Sequence, residues 1–530
     1  MDRSARTLAA LAGVLAATLL VGGCTLPPFA PDTGGHSAAA KQPPGAANWN
    51  PCPDTPRELT HHSPPPNMRY DCATITVPRQ WPTGATPGAS ISPGGAGPAG
   101  TFDIALIRAR STRQSDRIGS LVINPGGPGA SGVDTAVYLS YGAAFGGLPD
   151  EVTRRFDIVG FDPRGVKRSS PVKCISDADL DANFGAEPDP ETPAEFADVA
   201  ALAKRISAGC GAKYGDQLSL FSTEQAARDI DAVRSAVGDR QLSYLGYSYG
   251  TLLGATYAQL FPRNVRAMVL DGAVDPKQDA VAGSESQAKG FEKAFDDFGA
   301  WCTATPAKCP IAPDARAAVT AALEKARVSP ARGSDGRTAT PGWIFYGIVS
   351  SLYSESGWEQ LANAVKQLEG GDPSQIFQLA DQYAERDPNG HYSNQFDANL
   401  VVGCADEAKR PTADQARTLL GQWRTKYPLF GPPLAAGLLT CANWPAPADP
   451  YPTGKADGSA PILVVGTTGD PATPYEQTQR LADMLGVGRV LTWEGEGHTA
   501  YPQTTCIADA VDGYLVNGTL PPEGKRCPGR

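Results

Sequence analysis

The chain has 530 residues, of which 41% are hydrophobic and 19% charged, which is enough for a large core and about two structural units. Its formal net charge is −10 and no basic run occurs, which argues against nucleic acid and against an electrostatic hold on anionic lipid. The sequence predicts no cofactor.

The first 23 residues have the pattern of a secretory signal, because two arginines precede an apolar stretch (residues 8–21) that is short for a membrane span. The end of this segment together with Cys24, VGGC, resembles a bacterial lipobox, in which Cys24 is lipidated and becomes the mature N-terminus. Ordinary signal cleavage that discards Cys24 is the alternative. Residues 24–66 are rich in Pro, Gly and Ala and are predicted to form a flexible tether. We therefore expect an exported protein whose only membrane contact is its N-terminal lipid, with release from the envelope left open.

Of the eleven cysteines, ten follow Cys24, and an even number on an exported chain indicates disulfides. None of them shows C-x-x-C spacing and histidine is scarce, so no metal site is expected. The ten cysteines form neighbouring couples along the chain. This spacing predicts the pairs Cys52–Cys72, Cys174–Cys210, Cys302–Cys309, Cys404–Cys441 and Cys506–Cys527.

From about residue 70, strand and helix patterns alternate. TITV and FDIALIRA predict an opening antiparallel pair, and later strands are predicted in SLVIN, RFDIVGF, QLSYLGY, VRAMVLD, PILVVG and RVLTWEGEG. Helical periodicity lies between them, for instance in TEQAARDIDAVRSAVG. This succession predicts the α/β class, with a mostly parallel, doubly wound sheet that carries helices on both faces.

Between residues 277 and 453 the strand signal fades and helical segments such as DARAAVTAALEKARV follow one another. We predict a helical cap over residues 277–453, inserted between core segments 67–276 and 454–530.

The sequence GYSYG surrounds Ser248 and is the one G-x-S-x-G motif in the chain. It lies between a predicted strand and a predicted helix, as a nucleophile elbow requires. A chance match is the alternative, because the chain is rich in glycine, but the structural context favours the elbow. Ser248 is therefore the predicted nucleophile.

A serine nucleophile needs a base, and only one of the five histidines is well placed. His498 follows a predicted core strand near the C-terminus, whereas His36, His61 and His62 lie in the predicted tether and His391 lies in a turn-like stretch. Asp470 ends VVGTTGD and precedes His498 by one helix and one strand. The order Ser, Asp, His is that of α/β-hydrolases, so Asp470 is the predicted acid; the alternatives are a turn-capping role and Glu494 or Glu496 as the acid.

The oxyanion of the tetrahedral intermediate needs hydrogen-bond donors. NPGGPG follows an early strand, where the second donor loop of this fold lies. We predict the backbone N–H groups of Gly127 and Tyr249 as donors; the alternative is a simple tight loop.

These motifs carry a family resemblance. NPGGPG resembles the HGGPG loop of prolyl aminopeptidases, with Pro125 where their histidine stands, and GFDPRGVKRSS, GYSYGT, GDPATP and GEGHTAY complete the match. The chain is similar to the exported tripeptidyl aminopeptidases and related proteases of actinobacteria. The resemblance implies an α/β-hydrolase fold with a helical cap and cleavage of peptides or small proteins near a free N-terminus. A capped carboxylesterase or an endopeptidase is the alternative, and the oligomeric state is left open.

Related aminopeptidases use acids of the cap to hold the substrate's ammonium group. Asp406 and Glu407 follow Cys404, whose predicted disulfide to Cys441 would fix them in space. We predict that they bind the substrate N-terminus; the alternative is a solvated pair of acids at a helix end.

Overall fold

The computed structural model describes residues 45–82 and 100–529, so the predicted signal segment and Cys24 lie outside it. Ten strands form one sheet in the order β1-β2-β3-β5-β4-β6-β7-β8-β9-β10. Their bounds are Asn50–Pro51 (β1), Met68–Pro78 (β2), Thr101–Ser111 (β3), Gly119–Asn124 (β4), Phe156–Phe161 (β5), Leu242–Tyr247 (β6), Val265–Asp271 (β7), Ile462–Gly469 (β8), Gly488–Glu496 (β9) and Lys525–Cys527 (β10).

The sheet is antiparallel at one side, where β1, β2, β3 and β5 pair, and parallel from β5 to β10. Every residue of β4, β5 and β6 is buried, because helices cover both faces of the central parallel strands. The α/β class and the mostly parallel sheet predicted from the sequence are confirmed. β1 and β10 are short edge strands without a sequence signal.

Eighteen helices are found among the described residues. The first seven along the chain are Thr55–Thr60 (α1), Gly132–Leu139 (α2), Asp150–Arg155 (α3), Asp177–Phe184 (α4), Pro193–Tyr214 (α5), Thr223–Ala236 (α6) and Tyr249–Leu260 (α7). The central group is Ala280–Ala304 (α8), Ala315–Val328 (α9), Pro341–Leu352 (α10), Trp358–Glu369 (α11), Ser374–Ala384 (α12), Gln395–Asp406 (α13), Ala413–Lys426 (α14), Gly431–Gly437 (α15) and Leu439–Ala442 (α16). The last two are Glu476–Leu485 (α17) and Thr505–Asn517 (α18). None of them is long and apolar enough to be a candidate membrane span.

The prediction of a flexible tether to residue 66 is wrong for its second half. Asn50 pairs with Cys72 across β1 and β2, Cys52 forms a disulfide with Cys72, and α1 begins at Thr55. A Pro- and Gly-rich composition predicted disorder here, but the disulfide and the strand pairing hold the segment on the edge of the sheet.

The cap is larger than the predicted segment 277–453. Helices α4 and α5 lie in the part predicted as core, yet they pack on cap helices. Thr340 Oγ1 donates to the Gly185 carbonyl at 2.8 Å, Ser207 Oγ donates to the Thr440 carbonyl at 2.6 Å, and Arg424 pairs with the Asp189 carboxylate at 2.5 Å. The cap therefore comes from two insertions, one after β5 and one after β7.

The five disulfides of the structure are the five predicted pairs. Two of them join elements of the cap: Cys174–Cys210 ties the entry of the first insertion to α5, and Cys404–Cys441 ties α13 to α16. The Cα atoms of each pair lie 4.7–5.8 Å apart, within the range that a disulfide spans.

Candidate active site

Ser248 lies at the junction of β6 and α7 with φ 55° and ψ −125°, a backbone conformation that non-glycine residues rarely adopt. Neighbouring groups hold the turn in place: the Ser248 N–H donates to the Asp271 carbonyl at 2.9 Å, and the Ser248 carbonyl accepts the Thr251 hydroxyl at 2.7 Å. Such a strained residue between a strand and a helix is the geometry of a nucleophile elbow.

Gly246 shows why the motif needs its glycines. A Cβ atom on this residue would lie 2.4 Å from the Gly250 carbonyl oxygen, so any side chain there would push the start of α7 away from β6. The small residue lets strand and helix meet in one sharp turn.

His498 and Asp470 meet at the carboxyl ends of β8 and β9. The Nδ1–H of His498 donates to the Asp470 carboxylate, with distances of 2.9 Å to Oδ1 and 3.0 Å to Oδ2. Because this bond holds the ring proton on Nδ1, the other ring nitrogen, Nε2, is free to accept a proton. Burial acts to lower the pKa of His498, but the charge of Asp470 and its hydrogen bond outweigh burial, and the net pKa is raised. The imidazolium form is therefore stabilised, as a general base requires.

The Asp470 carboxylate is fixed by its own loop. It accepts the backbone N–H groups of Ala472 and Thr473 at 3.0 and 2.9 Å, and the Thr473 hydroxyl at 3.0 Å. The sequence reasoning did not select Thr473. A side chain three residues after an acid in a Pro-containing loop is the signal that could have found it, because Asp and Thr often bond across such turns.

The sequence reasoning also missed Asp271, which ends β7. Its fully buried carboxylate accepts the backbone N–H groups of Ala500 and Tyr501, two and three residues after His498. Burial raises the pKa of Asp271 to about 7, although the two backbone N–H groups act to lower it. The position could not be separated from an ordinary strand end in the sequence, because VRAMVLD carries no catalytic motif.

The loop after β4 lies against the elbow. A Cβ atom on Gly126 would lie 2.9 Å from the backbone nitrogen of Tyr249, and Gly127 lines the same cavity as Ser248. Within the described parts of the chain, the Gly127 N–H has no protein acceptor. The Tyr249 N–H belongs to the first residue of α7 and therefore has no acceptor within its helix. Both groups are thus available as donors beside Ser248.

Ser248 and His498 open into one cavity of about 380 Å³ between the core and the cap. Aromatic and amide side chains dominate the wall. The lining residues are Pro125, Gly127, Phe184, Ser248, Tyr346, Ser350, Tyr353, Gln382, Tyr383, Ala384, Gln395, Phe396, Asn399 and His498. The cap also contacts the histidine directly, since the backbone N–H of His498 donates to the Tyr353 carbonyl at 2.8 Å.

The sequence predicted that Asp406 and Glu407 bind the substrate N-terminus, but the structure does not bring them to this cavity, since neither is among its lining residues. The Asp406 carboxylate accepts the backbone N–H and the hydroxyl of Thr223 at 2.7 and 2.6 Å, and Glu407 accepts the Ala280 N–H at 2.8 Å. Burial raises the pKa of Asp406 to about 7, although the bonds from Thr223 act to lower it. Both acids therefore hold the starts of helices, because Thr223 is the first residue of α6 and Ala280 the first residue of α8.

In the described part of the chain, no group of three or more His, Cys, Asp or Glu side chains could hold a metal ion. The chemistry that this site supports on its own residues is nucleophilic attack by Ser248 with His498 as the base and two backbone N–H groups at the oxyanion position.

Several known hydrolases are similar to this chain over most of its length. Residues 427–527 match the family described as TAP-like protein. Serine protease Hip1 of Mycobacterium tuberculosis is 40% identical over 446 residues, which cover 80% of this chain and 83% of the relative. Carboxylesterase B of the same species is 38% identical over 536 residues, or 96% of each chain. Tripeptidyl aminopeptidase of Streptomyces lividans is 31% identical over 424 residues, or 78% of each chain.

Proposed function

The chain belongs to the TAP-like family of α/β-hydrolase serine peptidases, and we propose that it cleaves peptide bonds near a free amino terminus through an acyl-enzyme on Ser248. The observation that carries the proposal is the His498–Asp470 bond beside a strained serine that shares its cavity. Peptides or proteins are the substrate class, as the names of two of the relatives imply for those proteins.

The residues have defined roles in this reaction. As the Ser248 oxygen attacks the peptide carbonyl carbon, His498 Nε2 takes the hydroxyl proton and the carbonyl oxygen becomes an oxyanion held by the N–H groups of Gly127 and Tyr249. His498 then gives the proton to the leaving amine nitrogen, and the C–N bond breaks. Water repeats the attack on the acyl-enzyme with His498 as base, which releases the acid product and restores Ser248. The Asp470 carboxylate accepts the hydrogen bond from His498 Nδ1–H and stabilises the imidazolium.

Ser248→Ala tests the nucleophile. We expect turnover to fall below about a hundredth of wild type, because the acyl-enzyme cannot form. Thermal unfolding should change little, since the hydroxyl contributes reactivity at a strained turn rather than packing. A fluorophosphonate probe should label wild type and not the variant. If Ser248→Ala keeps more than about a hundredth of wild-type activity, or if the probe labels it, the nucleophile is another residue.

A second reading is a capped carboxylesterase, which the identity to carboxylesterase B over 96% of the chain favours. The same triad hydrolyses esters and amides, so the site alone does not choose between them. Rates on short acyl esters and on tripeptide anilides, measured side by side, distinguish the two. Faster ester hydrolysis together with no anilide hydrolysis would favour the esterase.

The preference for a free amino terminus needs its own test, because Asp406 and Glu407 do not reach the cavity. Peptide anilides with free and N-acetylated termini should be compared at equal concentration. We expect the free peptides to have the larger kcat/KM. Equal kcat/KM values for the free and the N-acetylated peptides would indicate an endopeptidase instead.

We also propose that the protein is exported and lipidated at Cys24, which rests on the N-terminal sequence pattern alone. Cys24→Ser should move the protein from the membrane fraction to the medium. If the substitution leaves the distribution of the protein between membrane and medium unchanged, simple secretion or another anchor is favoured.

A further inference from the structure

The wall of the Ser248 cavity carries no charge of its own. Within the described residues, its lining includes no Asp, Glu, Lys or Arg, and His498 is the only lining side chain that gains a charge near neutral pH. A cavity next to a catalytic serine that lacks such groups cannot pair a charged substrate side chain.

Cap residues supply a continuous aromatic surface. The ring of Phe184 lies 4.7 Å from that of Tyr346 and 5.3 Å from that of Phe396, and Tyr383 lies 5.4 Å from Tyr346. Tyr353 extends the surface toward the base, with its ring 5.4 Å from the His498 imidazole. Phe184 belongs to α4, so the first insertion of the cap builds part of this wall.

Neutral amides complete the wall. Gln382, Gln395 and Asn399 line the cavity, and Asn399 Nδ2 donates to the Pro128 carbonyl at 3.1 Å.

Three acids are adjacent in the chain to lining residues: Asp381, Glu385 and Asp397. Asp381 pairs with Arg337 at 2.6 Å and Asp397 with Lys173 at 3.5 Å, so neither charge is uncompensated. The Glu385 carboxylate pairs with Lys167 at 2.8 Å, so its charge is compensated as well.

We propose that this cavity selects peptides that place a neutral, apolar or aromatic side chain in it, and that it disfavours acidic and basic side chains. The inference rests on the proposed peptidase function and concerns the residues on the acyl side of the scissile bond. A buried charge without a partner loses its hydration with nothing in exchange, whereas an aromatic or large aliphatic side chain gains contact with the ring surface. The cavity of about 380 Å³ has room for such a side chain.

The test uses the wild-type enzyme and tripeptide anilides in which each of the three acyl residues is varied in turn among Leu, Phe, Lys and Glu. At the position that fills the cavity, we expect kcat/KM for Leu and Phe to exceed that for Lys and Glu by about 10-fold or more. Gln382→Glu places one carboxylate at the exposed side of the wall. It should improve the Lys-to-Leu ratio at that same position by about 10-fold and leave the other two positions unchanged.

Gln422→Glu is the matched control, because it makes the same change on exposed α14, away from the cavity. It should leave every ratio as in wild type. If wild type prefers Lys, the rings act as a cation-binding surface and the inference fails. It also fails if Gln382→Glu changes the Lys-to-Leu ratio at no position. If no anilide is cleaved by any protein, the proposed peptidase function fails instead, so the two results are distinguishable.

Discussion

The Asp271 carboxylate accepts the backbone N–H of Tyr501 at 2.7 Å, three residues beyond His498. The same carboxylate accepts the Ala500 N–H at 3.0 Å, and Asp271 itself ends β7, whose neighbour β6 leads into Ser248. The loop that carries His498 is therefore bonded to β7, the strand beside the one that leads into Ser248. Asp271 does not touch the reacting atoms in this arrangement, so it is a positioning residue.

Asp271→Asn should lower kcat by about 10–100-fold with a smaller change in KM, because the amide NH₂ group faces backbone donors and moves the His498 loop. The variant should also alter the pH dependence of stability. The pKa of Asp271 is raised to about 7, so its stabilising contribution is complete below its unfolded pKa and is lost as pH rises through about 7. The unfolding free energy of wild type minus that of Asp271→Asn should therefore decrease between pH 4 and pH 8 by at least about 1.4 kcal/mol.

Asp512→Asn is the control for this variant. Asp512 accepts the hydroxyl of the same Tyr501 at 2.7 Å, and an asparagine oxygen can accept that bond as well. We expect kcat close to wild type. Equal losses of kcat in both variants would mean that general loosening of the loop, rather than its bond to β7, causes the effect.

The catalytic part of the molecule was predictable because its signals are local. Ser248 lies in a short motif, the five disulfides join near neighbours, and Asp470 and His498 each follow an apolar strand. Ser248, Asp470 and His498 each follow a strand of one parallel sheet, so the order of strands brings these three side chains to its carboxyl edge.

The parts that were missed depend on distant packing. Helix α5 has a capping box at Thr192, but its sequence does not tell which part of the molecule covers it. The acids Asp406 and Glu407 have the composition of a binding pair, and only the positions of α6 and α8 show that their partners are backbone N–H groups. The cavity wall likewise combines side chains from four cap helices that are far apart in sequence.

Asp406→Asn should reduce stability and leave specificity unchanged. Thr223 donates two hydrogen bonds to this carboxylate at the start of α6, and an amide accepts only through its oxygen. We expect a loss of about 1–3 kcal/mol in unfolding free energy, measured by urea denaturation. The ratio of kcat/KM for free and N-acetylated peptides should equal that of wild type. A selective loss with free peptides would restore a substrate-binding role for Asp406.

The disulfides should differ in their contributions to stability. Cys302–Cys309 closes a loop with a sequence separation of 7, and Cys404–Cys441 closes one of 37. Chain entropy predicts that the longer loop contributes about 1.5 kcal/mol more. Double Cys→Ala variants of each pair, compared by urea unfolding, measure the difference. A larger loss for the short loop would show that native packing around Cys302 outweighs the entropy of the unfolded chain.

Asp470→Asn should abolish most of the activity and move what remains to lower pH. An asparagine can donate to His498 Nδ1 and hold the wrong tautomer, so kcat should fall by about 10³–10⁴-fold. Burial lowers the pKa of His498, and Asp470 more than offsets it; without that charge the pKa of His498 falls. Because only the neutral imidazole accepts the Ser248 proton, kcat/KM rises with pH through this pKa, and its acidic limb should shift to lower pH in the variant. Profiles between pH 5 and 9 for both proteins check this, with Asp512→Asn as the buried-carboxylate control. An acidic limb that stays at the wild-type pH would mean that it reports another group and that Asp470 does not set the charge state of the base.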